Sequence, residues 1–245
     1  MRCTRPRTVG FWPDGKTLCW SQKDYSKEYP TIQIPCGKCI SCRLESARQT
    51  AVRCVHEASM YQQNCFVTLT YDQEHLVADK LYYVHFQTFV KDLRSKLFSD
   101  LLNSIYPNLD QKTPRQLWRH KAKQNREELY DTIRIGVFCT GEYGDKRKRP
   151  HWHVLIFNWR PPDKVHKYTN DRGDKVYSSA HIDSLWGKGL VEFGAVTCES
   201  AGYCARYASK KLVHGKDGEH DYEPISRRSS KQAIGKKWIE KNWRD

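Results

Sequence analysis

Two stretches carry the clearest hydrophobic patterning in this chain. Ile133, Ile135 and Val137 recur at every second residue, the period of a strand with one buried face. Residues 152–157 form an unbroken apolar run after Pro150, as expected of a strand covered on both sides. Gly141-Glu142-Tyr143-Gly144 and a basic loop lie between them, so the pair predicts a hairpin. Further strands are predicted over 66–71, which is β-branched and aromatic, and over 190–197. A three-to-four residue period takes over elsewhere. Leu44, Ala47, Ala51, Val55 and Ala58 predict an amphipathic helix with Arg43, Arg48 and Arg53 on its other faces. Phe86, Phe89, Val90, Leu93, Leu97, Leu101 and Leu102 predict a helix over 85–105 packed on a sheet, and shorter helices are expected over 180–186 and 199–212. Turn chemistry at Pro13-Asp14-Gly15 predicts a short hairpin over 8–20. Residues 108–131 are polar and basic and read as a surface insertion or a charged helix; 160–177 read as a polar loop. Strands near 66, 134, 153 and 192 alternating with helices near 50, 93 and 205 suit an α+β domain with a central, mainly antiparallel sheet flanked by helices.

Composition narrows the partners. The 245 residues are 38% hydrophobic, enough for one core, but carry a net charge of +14, which attracts polyanions, with nucleic acid as the natural one. No run of about twenty apolar residues occurs, so a soluble protein without membrane insertion is expected. Three of the ten cysteines, Cys36, Cys39 and Cys42, cluster in CGKCISCR, a spacing that suits a structural zinc knuckle better than a disulfide framework. The fourth ligand is open between Cys3 and Cys54. Cys19, Cys65, Cys139, Cys198 and Cys204 stand in apolar contexts and are expected to be buried. Between 224 and 244, seven Lys or Arg face one Glu, with Trp238 and Trp243 interleaved; the indoles either stack bases or dock a terminal helix.

The chemistry-bearing residues sit in the predicted hairpin and the last helix. His151 and His153 share one strand face, a spacing that lets two imidazoles hold one metal ion, and Glu142 can bring a carboxylate to the same face. Asp145 in the adjoining loop is its rival. Two nitrogens suit manganese, whereas magnesium prefers oxygen, and both stay open. Tyr203, Tyr207 and Lys210, at steps of four and three, fall on one helical face. Metal, paired phenols and a lysine make up a set that phosphoryl transfer can use.

FVTLT at 66–70, RPHWHVLIF at 149–157 and YCARYASKK at 203–211 resemble the three motifs of the HUH endonucleases. With CGKCISCR, GEYG and the 184–203 run, the wording is similar to that of the replication initiators of microviruses, small single-stranded DNA phages, of the gokushovirus type. The resemblance covers most of the chain from 35 to about 238. It implies a sequence-specific endonuclease and strand transferase that nicks a single-stranded origin and rejoins it through a 5′-phosphotyrosine, initiating rolling-circle replication in the host bacterial cytoplasm. Tyr203 and Tyr207 would be nucleophiles, Lys210 their cationic support, and His151, His153 and Glu142 the ligands of Mg2+ or Mn2+. Cys3, Cys36, Cys39 and Cys42 would hold zinc. Thr68, Thr70, Lys146, Arg147, Lys148, Arg149, Arg206, Lys211, Arg227 and Arg228 would contact DNA, with a host polymerase and helicase as further partners. On this reading, residues 1–60 form the hairpin, knuckle and first helix, 61–215 the nuclease domain and 216–245 a basic segment. A tyrosine transposase or relaxase, and a zinc-bearing single-stranded DNA-binding protein without catalysis, are the alternatives.

Overall fold

The computed structural model describes residues 3–76, 80–110, 112–121, 123–144, 148–210, 225–230 and 233–244; side chains at 123, 124 and 207–210 lie outside the description. The chain divides into two compact units, Met1–Gln49 and Thr50–Asp245.

In the first unit, β1 (Arg7–Phe11) pairs antiparallel with β2 (Leu18–Cys19) and β3 (Ile32–Ile34). The predicted turn forms because the Asp14 carboxylate accepts from the amides of Lys16 and Thr17 at 3.0 and 2.9 Å, fixing the bend. Helix α1 (Ile40–Ser59) begins among the clustered cysteines and continues into the second unit. Its Arg43 is buried rather than lying on a free face.

The second unit is built on a seven-stranded sheet in the order β10-β5-β6-β4-β9-β8-β7. Its strands are β4 (Asn64–Thr70), β5 (Gly136–Tyr143), β6 (Pro150–Phe157), β7 (Val165–Thr169), β8 (Lys175–Ser178), β9 (Val191–Gly194) and β10 (Ile225–Arg228). Each neighbouring pair is antiparallel. The architecture is therefore α+β, a large antiparallel sheet flanked by helices, as the patterning predicts.

Strand alternation divides the core in two. Val67, Leu69, Val137, Trp152, Val154 and Ile156 face α2 (Tyr83–Ile105) and α5 (Ala180–Trp186). Phe138, Leu155 and Phe157 face the other way, against Cys54 of α1 and Ala201 and Cys204 of α6 (Cys198–Lys210). Each fully buried indole satisfies its N–H, Trp152 on the Tyr71 hydroxyl at 3.0 Å and Trp186 on the Thr70 carbonyl at 2.7 Å. The segment between α5 and β9 is tied to the end of β4, with Asp72 N donating to Lys188 O at 2.8 Å and Thr70 N to Leu190 O at 3.0 Å. Gly189 makes that closeness possible: at φ +146, a Cβ there would stand 2.4 Å from the Thr70 carbonyl oxygen.

Several expectations are corrected. Residues 160–177 are not a loop, since β7 and β8 form a hairpin within them. Every residue of β7 is exposed, so its pairing leaves no apolar alternation to read. Residues 108–131 hold α3 (Lys112–His120) and most of α4 (Lys123–Ile133), and Trp118 in α3 is buried. The basic C-terminal stretch contributes β10, which pairs with β5, and α7 (Lys236–Asn242). Trp238 stacks on His56 with ring centroids 3.6 Å apart and so docks α7, whereas Trp243 is exposed. Cys198 is exposed at the start of α6 rather than buried. Among the described residues, no helix is long and apolar enough to cross a membrane.

Candidate active site

The strand register brings the candidate ligands together. Glu142 lies opposite His151 across β5 and β6, and Thr70 and Thr68 on β4 lie opposite His151 and His153. Because side chains two apart share a face, Glu142, His151, His153, Thr68 and Thr70 all project toward the α6 side of the sheet. Ligand atoms of Glu142, His151 and His153 lie within 4.8 Å of one another. The Nε2 atoms of His151 and His153 stand 3.6 and 3.7 Å from Glu142 Oε2.

Hydrogen bonds on the far side of each ring decide what faces inward. His151 Nδ1 lies 3.1 Å from the Arg149 carbonyl oxygen, which only accepts, so Nδ1 carries the proton and Nε2 presents a lone pair. His153 Nδ1 lies 3.1 Å from Thr68 Oγ1, an arrangement that leaves its Nε2 free in the same way. Burial, with His151 as the lesser cause, pushes the His153 imidazole down to about 3, so it stays neutral as a ligand must. Phe66 stacks on its ring at 5.4 Å. Two lone pairs and a carboxylate thus converge in a pocket where Glu142 is 1% exposed and its Oε1 finds no hydrogen-bond partner. Such a donor set is repulsive unless a cation sits among it, and with one anion and two neutral nitrogens it fits a divalent ion.

Helix α6 lays a phenol over this face. Ala201, Cys204 and Ala205 are buried against the sheet, which directs Tyr203 to the ligand group. Its hydroxyl donates to Glu142 Oε2 at 3.4 Å, and its ring meets His153 edge-on at 5.1 Å. The backbone of α6 runs on through Tyr207 and Lys210, whose side chains lie outside the described residues. Asp145, Lys146, Arg147 and Lys211 lie outside them too.

The remaining basic and hydroxyl candidates are scattered. Arg149 Nη2 donates to the Tyr71 carbonyl at 2.8 Å, and Thr70 Oγ1 donates to the Leu190 carbonyl at 2.8 Å, so both brace the end of β4. Lys148 occupies the turn after β5 at φ 50, and Arg206 is exposed on α6. Arg227 and Arg228 belong to the edge strand β10, with Arg227 over the Tyr83 ring at 5.9 Å. Sequence reasoning missed the hold of Thr68 on His153. Its signal was available in the pairing of Thr-Leu-Thr against His-Trp-His, two period-two triplets on neighbouring strands.

In the first unit, Cys3, Cys36, Cys39 and Cys42 gather with their sulfurs within 4.8 Å of one another, while the rival Cys54 lies in the apolar core with Phe138 and Leu155. The Cys36–Cys42 and Cys3–Cys39 sulfurs are 3.9 and 3.8 Å apart, close to the edge of about 3.8 Å for a sulfur tetrahedron with Zn–S near 2.3 Å. Amides of Lys38 and Cys39 donate to Cys36 Sγ at 3.4 and 3.3 Å. Backbone N–H groups of Cys42 and Thr4 bring the Cys39 thiol down to about 5, and those of Cys39 and Lys38 lower Cys36. Desolvation instead pushes Cys42 up to about 12. The group can hold a metal.

Comparison with known proteins agrees with this geometry. A family model described as replication-associated protein ORF2 matches residues 64–212, which enclose β4 to α6 and every residue of the ligand group. The chain is 47% identical over 241 residues to the replication-associated protein VP4 of Bdellovibrio phage phiMH2K, covering 98% of this chain and 68% of that protein. It is 31% identical over 262 residues to the replication-associated protein ORF2 of Spiroplasma virus 4, covering 99% and 71%. With the replication-associated protein ORF4 of Chlamydia phage 1 it shares 31% identity over 212 residues, covering 84% and 45%. No solved structure matches. The chain belongs to the replication-associated protein ORF2 family, among the microvirus-type replication initiators.

Proposed function

We propose that this protein is a metal-dependent HUH endonuclease and DNA strand transferase that starts rolling-circle replication at a single-stranded phage origin. One observation carries the proposal: a phenol hydroxyl lies 3.4 Å from the carboxylate oxygen around which two neutral imidazoles converge. A nucleophile and a cation site are then about one phosphate apart.

In the reaction, Tyr203 Oη attacks the scissile phosphorus and forms a new P–O bond. The P–O3′ bond breaks, the phenol proton is released, and the departing 3′ oxygen leaves as a hydroxyl after taking up a proton. One phosphodiester replaces another, so the cut end stays activated on the enzyme for rejoining. A divalent ion held by Glu142, His151 and His153 supplies charge for the nonbridging oxygens of the transition state. Thr68 and the Arg149 carbonyl keep both imidazoles in the tautomer that this requires. The free phenol titrates near pH 10, so it needs a cationic neighbour to react at neutral pH, a role suited to Lys210. Tyr207, four residues on, falls one helical turn from Tyr203 and provides a second nucleophile while the first is occupied.

The reading also takes zinc as the occupant of the cysteine group, the phage origin as the DNA partner and the bacterial host as the place of action, where a host polymerase extends the freed 3′ end. The test is incubation with labelled origin strand and Mn2+. A covalent adduct that survives denaturant is expected, from the wild type and, for the first nick, from either single Phe variant of Tyr203 and Tyr207. The double variant should form none. Full nicking by the double variant overturns tyrosine transfer, and salt-sensitive retention without an adduct favours a binding protein instead.

A further inference from the structure

The sheet face turned away from the ligand group carries a cleft of about 1100 Å³. It opens between α2, α3, α4 and the edge strand β10, and Phe86, Val90 and Val137 form its base on the α2 side of the core. Its charge is one-sided. Lys91, Arg94, Arg115, Arg134, Arg227 and Arg228 line it, and none of the residues lining it is acidic. One of these cations is partly answered from outside, since Arg134 bridges Asp131 at 3.2 Å. Six converging cations repel one another and are stabilised together only by a polyanion.

Aromatic rings stand among the cations. Phe98 meets Trp118 edge-on at 5.5 Å and Tyr130 at 6.4 Å, while guanidinium groups lie over Tyr130 and Tyr83 at 5.3 and 5.9 Å. Tyr130 is 38% exposed, so one face is open to a base. Alternating cations and open rings suit unpaired bases on a phosphate backbone, whereas a duplex hides its base faces. Along α2, Gln87, Lys91, Arg94 and Phe98 follow one another at steps of four, three and four and make one stripe. Eleven residues of helix rise roughly 16 Å, the length of about five nucleotides stacked at 3.4 Å.

We infer that this cleft is a second binding site for single-stranded DNA, on the opposite side of the sheet from the ligand group, holding about three to five nucleotides. It gives a role to residues 112–133, the segment to which patterning assigns no chemistry. The inference concerns binding and does not depend on tyrosine transfer, so each can fail alone.

The test is fluorescence anisotropy with a labelled 15-nucleotide oligothymidine in EDTA, which removes any bridging by divalent ions. Arg94→Glu plus Arg115→Glu, both exposed side chains, should weaken binding at least tenfold and lower the slope of log affinity against log salt by about 1.4, the share of two phosphates on a single strand. His151→Ala plus His153→Ala should keep most of the affinity. Wild-type affinity in the double Glu variant, or equal affinity for a duplex of the same length, overturns the inference. Photocrosslinking wild-type protein to a 5-iododeoxyuridine strand gives a readout free of folding effects. Adducts at Tyr83, Trp118 or Tyr130 are expected, and adducts confined to α6 and β6 count against the cleft.

Discussion

Replacing Thr68 with Val isolates the hydroxyl that holds His153. The substitution keeps the β-branched shape that β4 favours and deletes only Oγ1, which stands 3.1 Å from His153 Nδ1. His153 is 8% exposed, so water cannot readily replace the lost partner. An imidazole N–H left unpaired in that setting costs about 1–3 kcal/mol. The ring escapes the cost by turning, or by moving its proton to Nε2, and either response removes the lone pair that faces Glu142. Loss of an outer partner of this kind weakens metal binding about 10- to 100-fold, or roughly 1.4–2.8 kcal/mol. Calorimetric titration with Mn2+ near pH 7.5 should show that loss for Thr68→Val and nearly wild-type affinity for Thr68→Ser, which restores the hydroxyl. Equal affinities for Val and wild type, or a Ser variant as weak as Val, would refute the claim that Thr68 orients the ligand.

Other outcomes follow from the same geometry. His153 is held at about 3, below its unfolded value near 6.5, so the unfolded chain binds more protons between those limits; stability should fall as pH drops below about 6.5, by up to about 1.4 kcal/mol per unit from this group, and urea midpoints of metal-free protein should lose part of that slope in His153→Gln. Cys3→Ser should reduce tightly held zinc from one equivalent to well below one, as read by elemental analysis, whereas Cys54→Ser should leave it at one. Gly189→Ala, at φ +146 and with its new methyl carbon 2.4 Å from the Thr70 carbonyl oxygen, should lower stability by about 1–3 kcal/mol or more in denaturant titration; an unchanged midpoint would mean that the β4 connection is not close-packed.

The elements that patterning reveals are those with one wet and one dry side, or none wet. Trp152 to Phe157 and the Phe86–Leu93 stripe declare themselves because burial selects their apolar residues. His-Trp-His is legible for the same reason, since buried Trp152 fixes which way both imidazoles point. Strand β7 escapes because it is stabilised by main-chain pairing with β8, and every side chain on it meets solvent. Strand β10 escapes because Ile-Ser-Arg-Arg resembles the basic stretch around it and acquires strand form only from its partner β5. Thr68 was marked as a DNA contact, but its role toward His153 depends on the register of β4 against β6, a long-range property that no local window contains. The α2–α4 cleft arises likewise from separate segments, each of which alone looks like an ordinary charged helix.

The placement of β10 bears on how the protein can be shortened. Strand β5 carries Glu142, and residues 225–228 give its outer edge a neighbour from far downstream in the chain. A fragment ending after α6 would keep both imidazoles, the carboxylate and Tyr203 yet bare the amides and carbonyls of residues 138–141 along that edge. Bare edges of this kind recruit the same edge from another molecule. Minimal versions trimmed to the catalytic motifs should therefore self-associate, and a soluble miniature would need residues 225–228 retained or a proline and charges installed along β5.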